Sequence, residues 1–332
     1  MLRHSLMPYY HPTTVCFVDD NQSFLDAMCL GLPPDLAYVA FNRPQEAIDF
    51  LNTPPPLTSL VSRALQVEAH SSSKQIVHLD TSLIEQEISQ IDRFRRVSVL
   101  IVDYAMPRIN GLQLCTYIED HFIRRALLTG VADEKTAVEA FNARLIDRYI
   151  TKTTSLAMEQ LIGFVSELQL EYFAAHSERL HTHLSATSPE FMSDPKVEDF
   201  IFNFIEANRI VEYYQVGEPD GFVFVDFDGA VKRMVIASDA QMQGQLAFAQ
   251  RHSAPAEIVD AIAARRVVGY FYESPEDYLG AEEYPWPEFL LETIVVNSRQ
   301  TWFIGVSNEP AVDVDYDPDA SSFRSFLRAT AL

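Results

Sequence analysis

Three things are scarce in this chain of 332 residues: cysteine, basic charge and long apolar runs. The three cysteines, Cys16, Cys29 and Cys115, are scattered among apolar neighbours. They lack metal-ligand spacing, which predicts reduced core residues in a cytoplasmic protein. No apolar run reaches the ~20 residues that a membrane-spanning helix needs, so no membrane partner is expected. Residues 1–12 carry His and Arg but no apolar h-region, so no signal peptide is expected. Lys and Arg number 25 against 47 Asp and Glu, a formal net charge of -22 that disfavours contact with a nucleic-acid backbone. What is present suits packed cores: 48% of residues are hydrophobic and 11% aromatic. The length fits about two domains at roughly 150 residues each.

The first half alternates between strand and helix patterns. Strands are predicted at residues 15–18, 36–41, 97–102, 126–128 and 148–150. Helices are predicted at 22–30, 44–51, 111–122 and 133–142, with a longer one from 155 to 184. Residues 97–102 are continuously apolar, the mark of a strand buried on both faces. Alternation of this kind predicts an α/β fold with a doubly wound parallel sheet. Residues 52–95 break the rhythm. They open with NTPPPLTS, which excludes regular structure, and include the polar AHSSSK and the amphipathic TSLIEQEISQIDR. The readings are a partly disordered insertion, expected for the first half, and a docking surface; the helix is left open between them.

The stretch VCFVDDNQSF places two carboxylates, Asp19 and Asp20, directly after a buried strand. Adjacent like charges raise each other's pKa unless a cation sits between them. Asp103 follows the buried strand 97–102 in the same way. Open α/β sheets bind ligands at the carboxyl ends of their strands, where strand order reverses. If the first and third strands are neighbours, the three carboxylates converge, and Mg²⁺ with its oxygen shell is the natural cation. Thr129 and Lys152 follow the fourth and fifth strands. A hydroxyl and an ammonium there suit the oxygens of a phosphoryl group, with Asp103 as nucleophile.

At these residues the chain resembles the receiver domain of two-component response regulators. VDDN matches the acidic pair, DYAMPRING the signature around the phospho-accepting aspartate, LLTG the switch threonine, and YITK the switch aromatic and the lysine. The resemblance implies a flavodoxin-like five-stranded sheet and a partner histidine kinase or phosphotransfer protein that phosphorylates Asp103. It also implies Mg²⁺ held by Asp20, Asp103 and the backbone carbonyl of Ala105, with Asp19 acting partly through water. Thr129 and Tyr149 would form the switch. Thr153 stands where the family has proline, which leaves the usual cis peptide open.

The predicted domains are a flexible N-terminus at 1–13, the receiver at 14–154 with its insertion at 52–95, and an extended helix and linker at 155–186. A C-terminal α+β domain follows at 187–310, then an acidic, solvated tail at 311–332. Leu161, Val165, Leu168, Tyr172 and Ala175 recur at heptad-like steps along the long helix. They read as a homodimer seam or as a stripe packed inside the chain, with dimerisation slightly favoured. The C-terminal domain reads as an antiparallel sheet with helices on one face. From residue 187 onward, 10 Lys and Arg face 25 Asp and Glu, and no helix-turn-helix is legible, so a DNA-binding output is not expected. VFVDFDGAV resembles the nucleophile strand of haloacid-dehalogenase-type phosphotransferases, through Asp226 and Asp228. A hairpin around Asp-Gly is the favoured reading, so the expected function is a phospho-accepting, non-enzymatic signalling protein. An enzymatic output using Asp226 and Asp228 is the alternative.

Overall fold

A computed structural model describes residues 6–53, 86–130, 134–152, 157–184, 189–217, 219–270, 286–307 and 316–330. The receiver half is a five-stranded parallel sheet. Its strands are β2 (Thr14–Val18), β3 (Tyr38–Phe41), β4 (Val97–Asp103), β5 (Arg124–Thr129) and β6 (Arg148–Thr151), in the order β3-β2-β4-β5-β6. All four ladders are parallel. Successive side chains on a strand point to opposite faces. Cys16, Val18, Leu100 and Val102 therefore pack toward α2 (Pro44–Asn52), α3 (Gly111–Tyr117) and α4 (Glu134–Asn142). Val15, Phe17, Val99 and Ile101 pack toward α1 (Gln22–Leu30) and α5 (Ala157–Leu184). This covering of both faces explains the unbroken apolar run in β4.

Helix α3 is shorter than the expected 111–122. The Asn52 side chain bridges the Tyr117 carbonyl at 2.8 Å and the Glu119 N–H at 3.0 Å. Asp120 then accepts from the Phe122 N–H at 2.8 Å, which turns the chain toward β5.

The second sheet has six strands in the order β1-β7-β8-β9-β13-β12, all antiparallel. Its strands are β1 (Tyr9–Tyr10), β7 (Ile210–Val216), β8 (Gly221–Asp226), β9 (Val231–Ser238), β12 (Ile294–Asn297) and β13 (Thr301–Ser307). β10 (Val267–Gly269) and β11 (Leu290–Glu292) form a separate two-stranded ladder. The expected antiparallel α+β unit is present, but helices cover both faces. Phe222, Phe224, Met234 and Ile236 pack against α6 (Pro195–Ala207). Val235 and Ala237, on the opposite face, pack against α7 (Asp239–Arg251) and α8 (Ala256–Ala263). Tyr172 and Phe173 of α5 meet Val223 and Val225 on that same opposite face.

Three expectations are corrected, and one left open is filled in. Residues 6–13 are not a flexible leader: Tyr9 and Tyr10 pair with Tyr214 and Tyr213, and Leu6, Met7, Tyr9, His11 and Thr13 are buried. The tail is solvated only in part. Among its described residues, α9 (Pro318–Ser321) and α10 (Phe323–Thr330) fold back, burying Phe323 and Phe326 against Phe94. The long-helix stripe is not a free seam. Leu161, Val165 and Leu168 lie in the receiver core, and Tyr172 lies in the core of the second sheet. From Leu161 to Tyr172 the stripe is consumed inside the chain and is not free to pair with a second copy. The end of the insertion docks internally, because Arg93 and Glu212 of β7 form an ion pair at 2.8 Å with both side chains fully buried. Residues 54–85, and the turn residue Thr153, lie outside the described residues. Among the described residues no helix is long and apolar enough to cross a membrane.

Candidate functional site

The site forms at the carboxyl ends of β2, β4, β5 and β6. Placing β4 beside β2 and β5 is the strand-order reversal that opens a crevice in such sheets. Asp19 leaves β2 and is buried, while Asp20 beside it is exposed. Asp103 ends β4 and is 5% exposed. One ligand oxygen from each of the three carboxylates lies within 4.8 Å of the others. Such a set fits a hard divalent cation, and the exposed side at Asp20 leaves room for the waters that Mg²⁺ keeps.

Local sequence sets the geometry. Asp19 accepts from the Asn21 N–H at 2.9 Å, and Asn21 in turn caps α1 by accepting from the Phe24 N–H. Asn110 caps α3 in a reciprocal box with Gln113. A side chain at Gly111 would place its Cβ 2.3 Å from the Asp103 carbonyl oxygen. Glycine therefore allows α3 to start against the end of β4. Ala105 is exposed on the intervening loop, which is held by Tyr104 N–H to Leu128 O at 2.8 Å and Gly111 N–H to Tyr104 O at 3.1 Å.

Lys152 completes the cluster. Its Nζ lies 2.6 Å from Asp19 Oδ2 and 2.6 Å from Asp103 Oδ1. The ammonium also sits 4.4 Å from the centre of the Phe24 ring. Burial pushes the Asp103 carboxyl above its usual range, against the downward pull of Lys152. Burial works the other way on Lys152, but its two carboxylate partners override it and hold the ammonium above the ordinary lysine value. Thr129 is fully buried, and its hydroxyl donates to the Gly130 carbonyl at 3.0 Å. Tyr149 is half-buried against the α2–α4 side of the core.

Asp226 and Asp228 lie far along the chain, on the β8–β9 turn. The Asp226 carboxylate accepts from the N–H groups of Asp228 at 2.9 Å and Ala230 at 2.8 Å. Asp228 pairs with Arg324 of α10. Gly229, with φ of +91°, supplies the left-handed residue of the turn.

A cluster of this geometry, on a sheet of this order, defines a class. The response regulator receiver domain pattern matches residues 59–163, a span that holds Asp103, Thr129 and Lys152. It begins after Asp19 and Asp20, which the fold returns to the site across the insertion. The chain therefore carries a response regulator receiver domain, followed by a C-terminal extension. It is similar along nearly its whole length to the response regulator LqsR of Legionella pneumophila. Identity is 29%, covering 98% of this chain and 96% of that one, with a TM-score of 0.75. The receiver domain of a Francisella response regulator is similar at 15% identity, covering 48% of this chain and 97% of that one, with a TM-score of 0.32. No curated protein matches the chain.

Two features escaped the sequence reading: the buried Arg93–Glu212 pair and the N-terminal strand. A lone Arg and a lone Glu 119 residues apart carry no local signal.

Proposed function

We propose that the protein is a phosphorylation-controlled response regulator in which Asp103 accepts a phosphoryl group from a phosphohistidine on a partner histidine kinase or phosphotransfer protein. The observation that supports this best is the buried Asp103 carboxylate, 2.6 Å from Lys152 and clustered with Asp19 and Asp20. A carboxylate oxygen of Asp103 attacks phosphorus, the P–N bond breaks, and the imidazole leaves with the bonding electron pair. Asp19, Asp20, Asp103 and the Ala105 carbonyl would hold Mg²⁺, which supplies positive charge to the phosphoryl oxygens in transfer. Lys152 turns its ammonium from the Asp103 carboxylate to the product's oxygens. The Thr129 hydroxyl leaves the Gly130 carbonyl to donate to the new dianion, and the Tyr149 ring takes up the space released.

The second unit acts through binding rather than through chemistry of its own. Asp226 is occupied by two backbone N–H groups of its turn and Asp228 by Arg324, which favours structural roles for both over the alternative phosphotransferase reading. Because α5 is packed into both cores, a change at β5 and β6 reaches the second sheet through a continuous helix.

The test is phosphoryl uptake from acetyl phosphate, read by intact mass. Wild type gains one phosphoryl group in Mg²⁺ and none in EDTA, and Asp103→Asn gains none in either. Incorporation into Asp103→Asn, or full incorporation in EDTA, would overturn the assignment.

A further inference from the structure

At the opposite end of the receiver sheet from Asp103, the segments entering β5 and β6 line a half-open cavity of about 490 Å³. We propose that this cavity binds a small, ring-bearing phosphate compound, of the nucleoside diphosphate kind, with Arg125 and Arg144 as its anion contacts.

Four arginines line the cavity, in a chain whose formal net charge is -22. The one carboxylate in the lining among the described residues, Asp147, is already engaged. It accepts from the Arg125 backbone N–H at 2.7 Å and pairs with Arg124 at 3.5 Å. Arg148 is engaged as well, by Glu171 at 2.6 Å and Glu167 at 3.6 Å on α5. Two guanidiniums keep capacity. Among the described residues, the Arg125 side chain reaches only the carbonyls of Ile118 at 3.5 Å and Asp120 at 3.4 Å, at the limit of a hydrogen bond, and its Nε is buried without a partner. The Arg144 side chain has no ion pair or hydrogen bond among the described residues, and it is exposed at the rim. A guanidinium presents a planar fork of donors that matches the oxygens of a phosphate.

Shape and apolar surface narrow the class. Phe141 and Leu145, 44% and 39% exposed, line the same cavity and offer a surface for a ring. The volume lies inside the roughly 300–1,000 Å³ of small-molecule sites. A nucleic acid is the wrong partner, because a chain of formal net charge -22 repels a polyanion.

Calorimetric titration of the full chain in EDTA tests the proposal, since removing Mg²⁺ keeps phosphate probes from the Asp103 site. ADP is expected to bind, pyrophosphate to bind more weakly, and adenosine to give no heat at the same concentration. Arg144→Asp and Arg125→Gln are each expected to weaken ADP binding at least about tenfold, about 1.4 kcal/mol, while Asp103→Asn leaves it unchanged. Arg144 is exposed with φ of +56°, a conformation that Asp tolerates, so this variant should fold, and retained phosphoryl uptake at Asp103 checks that it does. If Arg125→Gln fails to fold, Arg144→Asp decides alone. No heat with ADP up to millimolar concentration, equal binding of ADP and pyrophosphate, or ADP affinity unchanged in Arg144→Asp would each overturn the proposal.

Discussion

Replacing Glu212 by Gln is expected to destabilise the protein by about 3–5 kcal/mol, although it changes one atom's identity and no volume. The magnitude follows from the surroundings of Arg93. All five of its N–H groups are used. Nε donates to Glu212 Oε2 at 3.0 Å, and Nη2 donates to Glu212 Oε1 at 2.8 Å and to the Ser321 carbonyl at 2.9 Å. Nη1 donates to the carbonyls of Ile88 at 2.6 Å and Gln90 at 3.0 Å. Glu212→Gln takes the anion from two of these five bonds and weakens the Tyr214 hydroxyl's bond at 2.9 Å. Two charge-assisted bonds at roughly 1.5–3 kcal/mol each bracket the expected loss. The intact pair adds little net stability, because desolvating both ions offsets their attraction; the cost comes from stranding one buried charge. Urea unfolding followed by circular dichroism measures it, in a cycle of Arg93→Met, Glu212→Leu and the double variant. Coupling of at least about 2 kcal/mol is expected, the double variant losing less than the two singles together. Single variants each costing below about 1 kcal/mol, or effects additive within about 0.5 kcal/mol, would refute the claim that this pair clamps the insertion to the second sheet.

Two further outcomes follow from burial. His11 is enclosed beside Phe173 and donates from Nδ1 to the Pro12 carbonyl at 2.9 Å, while its Nε2 lies 3.8 Å from the Glu87 carboxylate, which also faces Arg96 at 3.4 Å. Burial, reinforced by Arg96 and Arg93, holds its pKa well below the ordinary value. The folded state therefore keeps His11 neutral where the unfolded chain takes up a proton. Stability is full above the unfolded pKa of about 6.5 and falls by up to about 1.4 kcal/mol per pH unit below it. Urea midpoints at pH 7.5 and 5.5 should differ less in His11→Gln than in wild type, and an equal difference would count against the assignment. Leu168→Ala, at a fully buried site between α5 and the receiver sheet, should cost about 2–5 kcal/mol with no change in association state by sedimentation. A dissociating oligomer of unchanged stability would restore the seam reading.

The residues of the candidate site were legible in the sequence because each stands next to its own strand. A buried strand announces itself over a few residues, and Asp19, Asp20, Asp103, Thr129 and Lys152 each follow one, so local pattern and strand order placed them together. The hairpin at Asp226–Gly229 was legible for the same reason. What tertiary structure decided is what each apolar surface meets. The Leu161–Ala175 stripe reads alike whether it faces a second chain or two cores of its own, since periodicity specifies a face and not a partner. Tyr9–Tyr10 is too short for any period, and it becomes a strand only because β7, some two hundred residues on, leaves an edge to pair with. Phe323 and Phe326 lie just beyond the acidic run at 313–319, in a tail read as solvated, but Phe94 gives them a surface to bury against. Arg93 and Glu212 have no local signature, because a buried ion pair is defined by its surroundings, and those exist only once both sheets are packed.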